Sequence, residues 1–190
     1  ISQIVVIEAG HGYLSNCSNG DGRTKTEINT SHEVSVRLKN LITNNYCGWT
    51  VYLTRPNNGC NSWVSVTQRG VMANNWNSDL FLSIHCNAAA FTAYGTEAFW
   101  CDLGAQSNTA DKAYATNIQN KMVARGHWPN RRVVEDNGYL AFHLGVLKSL
   151  NGKGCLSEIG FVTSSDSTKL LSTAWRDSFA LGYFDGLKTQ

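Results

Sequence analysis

Hydrophobic positions recur along the chain in two alternating rhythms. Gln3 to Ala9 (QIVVIEA) is a short β-branched run ending in Gly10-His11-Gly12, the pattern of a buried strand closed by a tight turn. Residues 13–26 (YLSNCSNGDGRTKT) carry turn formers and little else, and predict a loop. From Glu27 to about Tyr46 the apolar positions Val34, Leu38, Leu41 and Ile42 fall at helical spacing. TVYLT at 50–54 predicts a strand, broken by Arg55-Pro56-Asn57-Asn58-Gly59. Residues 63–77 predict a helix, LFLSIHC at 80–86 a strongly apolar strand, and 97–101 another strand. A helix over 109–125 has Thr109 as a candidate cap and Asp111 in its first turn. CLSEI at 155–159 predicts a short strand, and 166–187 a closing helix. Alternating strands and helices specify an α/β class with a largely parallel sheet. No repeat, low-complexity tract or linker divides the 190 residues, and with two prolines nothing resembles a hinge, so one domain over 1–190 is expected.

Composition narrows the function. At 42% hydrophobic residues the chain can bury a core, yet no apolar run approaches the ~20 residues of a membrane span. Charged residues are only 16%, with Asn, Ser and Thr in their place, and the net charge is +2. Without a basic run beyond Arg131-Arg132, electrostatic binding of nucleic acid is not expected. Six cysteines suggest an oxidising, extracellular compartment, the rival reading being a cytosolic chain with six reduced, buried thiols. Their positions (17, 47, 60, 86, 101, 155) contain no C-x-x-C pair, which argues against a zinc ribbon or a thioredoxin-type site. At least one disulfide is expected among the loop cysteines Cys17, Cys47 and Cys60, with Cys86 and Cys155 either buried thiols or a cross-strand pair. The start at Ile1, with no basic segment and apolar core following it, reads as a mature or excised fragment.

In parallel sheets, ligands bind beyond the carboxyl ends of the strands. His11 follows the first strand, His85 ends the apolar strand, Glu158 lies near the end of CLSEI, and Glu27 opens the first helix on the same rim. Each has a structural alternative: His11 as a turn residue, Glu27 as a carboxylate favoured by the helix dipole. Glu158 is harder to explain so, because an unpaired carboxylate among apolar neighbours costs several kcal/mol to bury. Two imidazoles and a carboxylate are the ligand set of a catalytic zinc, and a further acid beside an open position serves a metal hydrolase as general base.

Seven segments, in order, resemble one family. They are Ile7-Glu8-Ala9-Gly10-His11-Gly12; Glu27 with the stretch to Arg37-Leu38-Lys39; Val51-Tyr52-Leu53-Thr54-Arg55; Arg69 with Ala73-Asn74; Ser83-Ile84-His85-Cys86-Asn87-Ala88; Gly95-Thr96-Glu97; and Leu156-Ser157-Glu158-Ile159-Gly160-Phe161-Val162-Thr163. On these the chain is similar to the zinc-dependent N-acetylmuramoyl-L-alanine amidases of the Amidase_3 type, found as cell-wall autolysins and phage endolysins. The resemblance implies a single domain with a mixed, mainly parallel six-stranded sheet flanked by helices. It implies Zn2+ held by His11, Glu27 and His85, with Glu158 as the catalytic carboxylate, and a secreted or wall-associated enzyme acting on peptidoglycan. Arg69, Asn87 and Glu97 become candidates for the substrate groove, and a monomer is expected.

The departures are specific. Glu8 stands where the family usually has Asp and is expected to steady a ligand. Tyr13 replaces a common second Gly, and Ser164-Ser165 replaces a frequent Asn-Pro. Only 60 residues separate Glu97 from Glu158, so the inhibitory helix that regulated Gram-negative relatives insert there is not expected, and the groove should be open. His32 is read as an exposed polar residue, His127 and His143 as surface or packing residues, and Trp100 and Trp128 as candidates for stacking on sugar rings. Rival readings are a zinc exopeptidase or amidohydrolase acting on another peptide, a cysteine hydrolase using Cys86 or Cys155, and an inactive wall-binding module. Neighbouring strand residues point to opposite faces, so His85 and Cys86 should not form a dyad.

Overall fold

The computed structural model describes residues 2–190. Its six strands are β1 (Gln3–Ala9), β2 (Trp49–Leu53), β3 (Leu80–Asn87), β4 (Thr96–Trp100), β5 (Asn130–Glu135) and β6 (Lys153–Phe161). They form one sheet in the order β2-β1-β3-β6-β4-β5. The first four strands in that order are mutually parallel; β4 runs antiparallel to β6, and β5 pairs parallel to β4. The sheet is therefore mixed and mainly parallel, as expected. Because β1, β3 and β6 are parallel neighbours, their carboxyl ends share one rim, where the reversed β4 begins.

The helices are α1 (Lys25–Asn45), α2 (Val66–Asn75), α3 (Asn108–Gly126), α4 (Asp136–Leu140), α5 (Ser167–Leu170) and α6 (Thr173–Leu187). Side-chain alternation along the strands separates two cores. On one face Val5, Ile7, Leu82, Ile84 and Ile159 pack with Leu38 of α1, Ile118 of α3 and Phe179 of α6. On the other, Val6, Phe81, Phe99 and Leu156 meet Ala73 of α2 and Val146, Leu147 and Leu150 of the segment before β6. This second core is smaller, and the polar side chains of the strand ends lie beside it.

Several expectations are corrected. The helix expected over 63–77 is shorter, because Ser65 and Gln68 form a capping box that starts it at Val66. Ser107, not Thr109, caps α3: its hydroxyl accepts from the Ala110 amide. The closing helix is two helices, separated at Leu171-Ser172, with Ser172 capping the second. Strand β5 and helix α4 were not anticipated. Trp128 is buried and stacked on Phe179 at 5.6 Å, so it cannot reach a sugar. Trp100 packs against the larger core, on the opposite face from Glu97 and Phe99. His143 is not a simple surface residue: its Nδ1 contacts Cys101 Sγ and Asp136 Oδ1. His127 is exposed at the end of α3, with its ring edge-on to Trp175.

Cys17 and Cys60 form a disulfide, while Cys47, Cys86, Cys101 and Cys155 are free thiols. Cys86 lies in the larger core, across the sheet from the His85 ring, as strand alternation requires. Among the described residues no helix is long and apolar enough to cross a membrane.

Candidate metal centre

His11 sits just past β1 with φ 63°, a left-handed conformation that a non-glycine residue adopts only when its surroundings enforce it. Its neighbours allow this. A Cβ on Gly10 would overlap the His85 imidazole, and Gly12 has φ +136°. Glu27 is placed by the start of α1: Thr24 is the N-cap, and its Oγ1 accepts from the Glu27 amide at 3.2 Å. His85 is carried by β3 and sits in register with Glu158 on β6.

These elements bring three donor atoms together. His11 Nε2 lies 2.9 Å from Glu27 Oε1, His85 Nδ1 lies 3.1 Å from His11 Nε2, and His85 Nδ1 lies 3.3 Å from Glu27 Oε1. Tetrahedral ligands about 2.0–2.1 Å from one zinc ion would be roughly 3.3 Å apart, so the three separations are close to what a shared ion needs. Each imidazole turns its other nitrogen to a carboxylate. His11 Nδ1 is 2.9 Å from Asp21 Oδ2, and His85 Nε2 is 3.4 Å from Glu8 Oε2. With the protons assigned to those outer nitrogens, both inner lone pairs face the centre.

The carboxylates are themselves held. Glu8 is fully buried; it accepts from Arg69 Nη1 at 3.0 Å and from the Ser83 hydroxyl. Burial opposes its ionisation, but Arg69, His85 and Ser83 outweigh that and keep the carboxyl well below its usual range. Burial works the same way on Glu27, and the two imidazoles overcome it, bringing that carboxyl down to about 2. Burial disfavours the His85 imidazolium, yet Glu27 and Glu8 raise its pKa to about 10. The cluster thus demands positive charge at the centre, which a divalent cation would supply in place of a proton. Both the donor set and the charge suit zinc.

Glu158 stands on β6 between His85 of β3 and Glu97 of β4, in register with both. Its buried Oε2 has no hydrogen-bond partner. Burial, reinforced by Glu27 and Glu97, pushes its pKa up to about 8 against the pull of His85 and Arg23. A cleft of about 360 Å3 opens here, lined by His11, Glu27, His85, Glu158, Arg69 and Asn87 among others. A second cleft of about 300 Å3 adjoins it, sharing Asn87 and Glu158 and adding Glu97, Arg131 and Tyr139.

Every site residue expected from the sequence therefore lies along one rim, with differing freedom. Asn87 Nδ2 donates to Glu97 Oε1 at 2.5 Å, and Glu97 Oε2 is 3.0 Å from the Nε atoms of both Arg131 and Arg132. Arg69 is buried, with its donors committed to Glu8, Val64 O and His11 O, so it supports the cleft wall. His32 is remote from the cluster, and its Nε2 is 3.2 Å from Pro56 O. Sequence reasoning missed Asp21 and Arg23, which lie in the polar loop before α1. Asp21 has φ 57° and also accepts from Trp63 Nε1 at 2.9 Å. No periodicity marks a loop residue, and the only hint was a carboxylate between two glycines.

A profile of the Amidase_3 family, described as N-acetylmuramoyl-L-alanine amidase, matches residues 5–189. The chain belongs to that amidase family. The sporulation-specific N-acetylmuramoyl-L-alanine amidase of Bacillus subtilis (strain 168) is 29% identical over 185 residues, covering 97% of this chain and 66% of that protein. The N-acetylmuramoyl-L-alanine amidase CwlM of Bacillus licheniformis is 29% identical over 186 residues, covering 96% of this chain and 66% of that protein. The amidase-family chain thus spans just under two thirds of the length of these relatives. The crystal structure of N-acetylmuramoyl-L-alanine amidase from Clostridium difficile 630 superposes with a TM-score of 0.84 at 26% identity, covering 99% of this chain and 96% of that one.

Proposed function

We propose that residues 1–190 form a single zinc-dependent catalytic domain that hydrolyses the amide between the lactyl group of N-acetylmuramic acid and L-alanine in peptidoglycan. The observation that carries this reading is the convergence of His11, Glu27 and His85 beside the unpartnered carboxylate of Glu158. Zinc held by those three residues would act as a Lewis acid on the lactyl carbonyl and favour ionisation of the attacking water. The chain's own groups do the rest. Asp21 holds the His11 imidazole in the required tautomer, and Glu8 lies 3.4 Å from the outer nitrogen of His85. Glu158, in its ionised form, takes the proton of the attacking water and returns one to the departing alanine nitrogen.

The two adjoining clefts suit a substrate with a sugar on one side of the scissile bond and a peptide on the other. Asn87 and Glu97 line the groove between them, and Arg69 shapes its wall through Glu8 and the His11 carbonyl. Secretion to the cell wall and action as a monomer complete the proposal; the Cys17–Cys60 disulfide supports an oxidising compartment.

The test is to incubate the protein with insoluble cell walls and measure both kinds of product. Free amino groups with N-terminal alanine should rise, while reducing sugar ends should not. Reducing ends without new amines would end the amidase reading, since a glycosidase needs two carboxylates flanking a sugar bond. New N-termini other than alanine would convert the enzyme into a peptidase.

A further inference from the structure

A second group of metal-ligating side chains lies on the same face of the sheet, at the other end of β4. Cys101 follows the last residue of that strand, four residues beyond Glu97, or roughly 13 Å at ~3.3 Å per residue. Asp136 follows Glu135, the last residue of β5, which is in register with Trp100, and His143 is on the segment leading back to β6. No residue is shared with the centre formed by His11, Glu27 and His85.

The contacts converge on one atom. His143 Nδ1 is 3.0 Å from Asp136 Oδ1, 3.5 Å from Cys101 Sγ, 3.6 Å from Asp102 Oδ1 and 3.8 Å from Glu135 Oε1. The donor atoms of Cys101, Asp102 and His143 all lie within 4.8 Å of one another. A Cys–His–Asp relay is excluded by this geometry, because thiol and acid would have to face different ring nitrogens. One nitrogen carries at most one proton, so four acceptors cannot all be satisfied by it. Among the described residues, His143 is also the only ion-pair partner of Asp102, Glu135 and Asp136. Asp136 is fully buried and Cys101 nearly so. Bonds of ~2.0–2.3 Å at tetrahedral angles separate nitrogen, oxygen and sulfur ligands by about 3.3–3.7 Å. The distances from His143 to Cys101 and Asp102 fall in that range.

We propose that Cys101, Asp102 and His143 bind a second zinc-class divalent ion, while Asp136, whose carboxylate accepts from the Asn137 and Leu144 amides, holds the His143 ring from beside the site. The three ligands come from the end of β4 and from the segment after α4, so the ion would bridge two elements of the fold. It would pin the segment after α4 to the end of β4. That segment carries Phe142 and Leu144, which line the catalytic cleft, so the ion would fix one wall of the groove.

Cobalt distinguishes the two centres, because a thiolate-to-cobalt charge-transfer band in the near ultraviolet can arise only where a cysteine is a ligand. The protein would be prepared with Cys47→Ser to remove the exposed thiol, and then loaded with cobalt or zinc. The expected content is about two ions per chain, falling to about one in Cys101→Ser and about one in His85→Ala. The charge-transfer band should be present in the parent, kept in His85→Ala and lost in Cys101→Ser, with circular dichroism showing each variant folded. A parent with no such band in excess cobalt, or a band that survives Cys101→Ser, overturns the proposal. Failure of the catalytic centre is read separately, as an ion count unchanged by His85→Ala.

Discussion

Glu158 is half-buried at the cleft, with one oxygen fully shielded from water, so its chemistry follows from its surroundings. The carboxyl has two other carboxylates near it and one buried oxygen without a hydrogen-bond partner. Burial and the neighbouring carboxylates raise the basicity of such a group, so that in its ionised form it accepts a proton readily, the property a general base needs. Glu158→Gln keeps the shape and removes the base, so the variant should retain zinc and lose turnover by on the order of 100-fold or more. His85→Ala removes one of the three proposed ligands and should lose metal and activity together. Metal analysis beside turnover on cell walls checks both, and normal turnover in Glu158→Gln would refute the role. At this scale the sequence was legible where a polar residue interrupts an apolar run: a Glu inside CLSEIGF or a His closing FLSIH is conspicuous because it costs so much there. Asp21 was not, since a carboxylate in a polar loop costs nothing and so signals nothing.

At the scale of elements, the centre depends on the turn after β1 and the first turn of α1 staying at fixed separation. Arg55, just beyond β2, holds them. Its guanidinium is buried and donates to Ala9 O at 3.2 Å, Gly10 O at 3.0 Å and Ile28 O at 3.0 Å. The first two carbonyls precede His11 and the third follows Glu27. Burial brings the Arg55 pKa down to about 10, so the group stays charged at neutral pH. Arg55→Ala should destabilise the fold by roughly 3 kcal/mol, since each buried acceptor left without a donor costs about 1–3 kcal/mol. Zinc affinity should fall with it, because His11 and Glu27 lose their common anchor. Arg55→Lys should not restore either, as an ammonium cannot span three acceptors. Denaturant midpoints and zinc titration measure these effects. The strands that carry the centre were legible because their apolar runs are dense. Strand β5 was not: four of the six residues of NRRVVE are polar, the strand lies at the sheet edge, and it shows no clean alternation. Helix α4, with five residues, is too short for a 3.6-residue period to register.

At the scale of the molecule, the long loop between β1 and α1 is tied to the loop after β2 by Cys17–Cys60, a separation of 43 residues. The entropy of closing such a loop in the unfolded chain suggests a stabilisation of about 2–4 kcal/mol. The Cys17→Ser/Cys60→Ser pair should melt at lower temperature by a margin of that size. It should also bind zinc less tightly, because Asp21, the partner of His11, lies inside the tied loop. An unchanged melting temperature would show the bond to be dispensable. The pairing itself could not be read from the chain, since six cysteines allow many connectivities and only the meeting of two loops selects one.

The sequence by itself determined the α/β class and the family, and it singled out the residues proposed for the centre. All of these rest on local cost: apolar runs must be buried, and buried polar residues must have a reason to be there. Tertiary structure alone decided the reversal of β4 and β5, the division of the sheet into a thick and a thin face, and the partners of the two imidazoles. It also brought His143 from a loop to a thiol and three carboxylates supplied by the ends of β4 and β5. These depend on contacts between residues far apart in the chain, whose free energy no local pattern records.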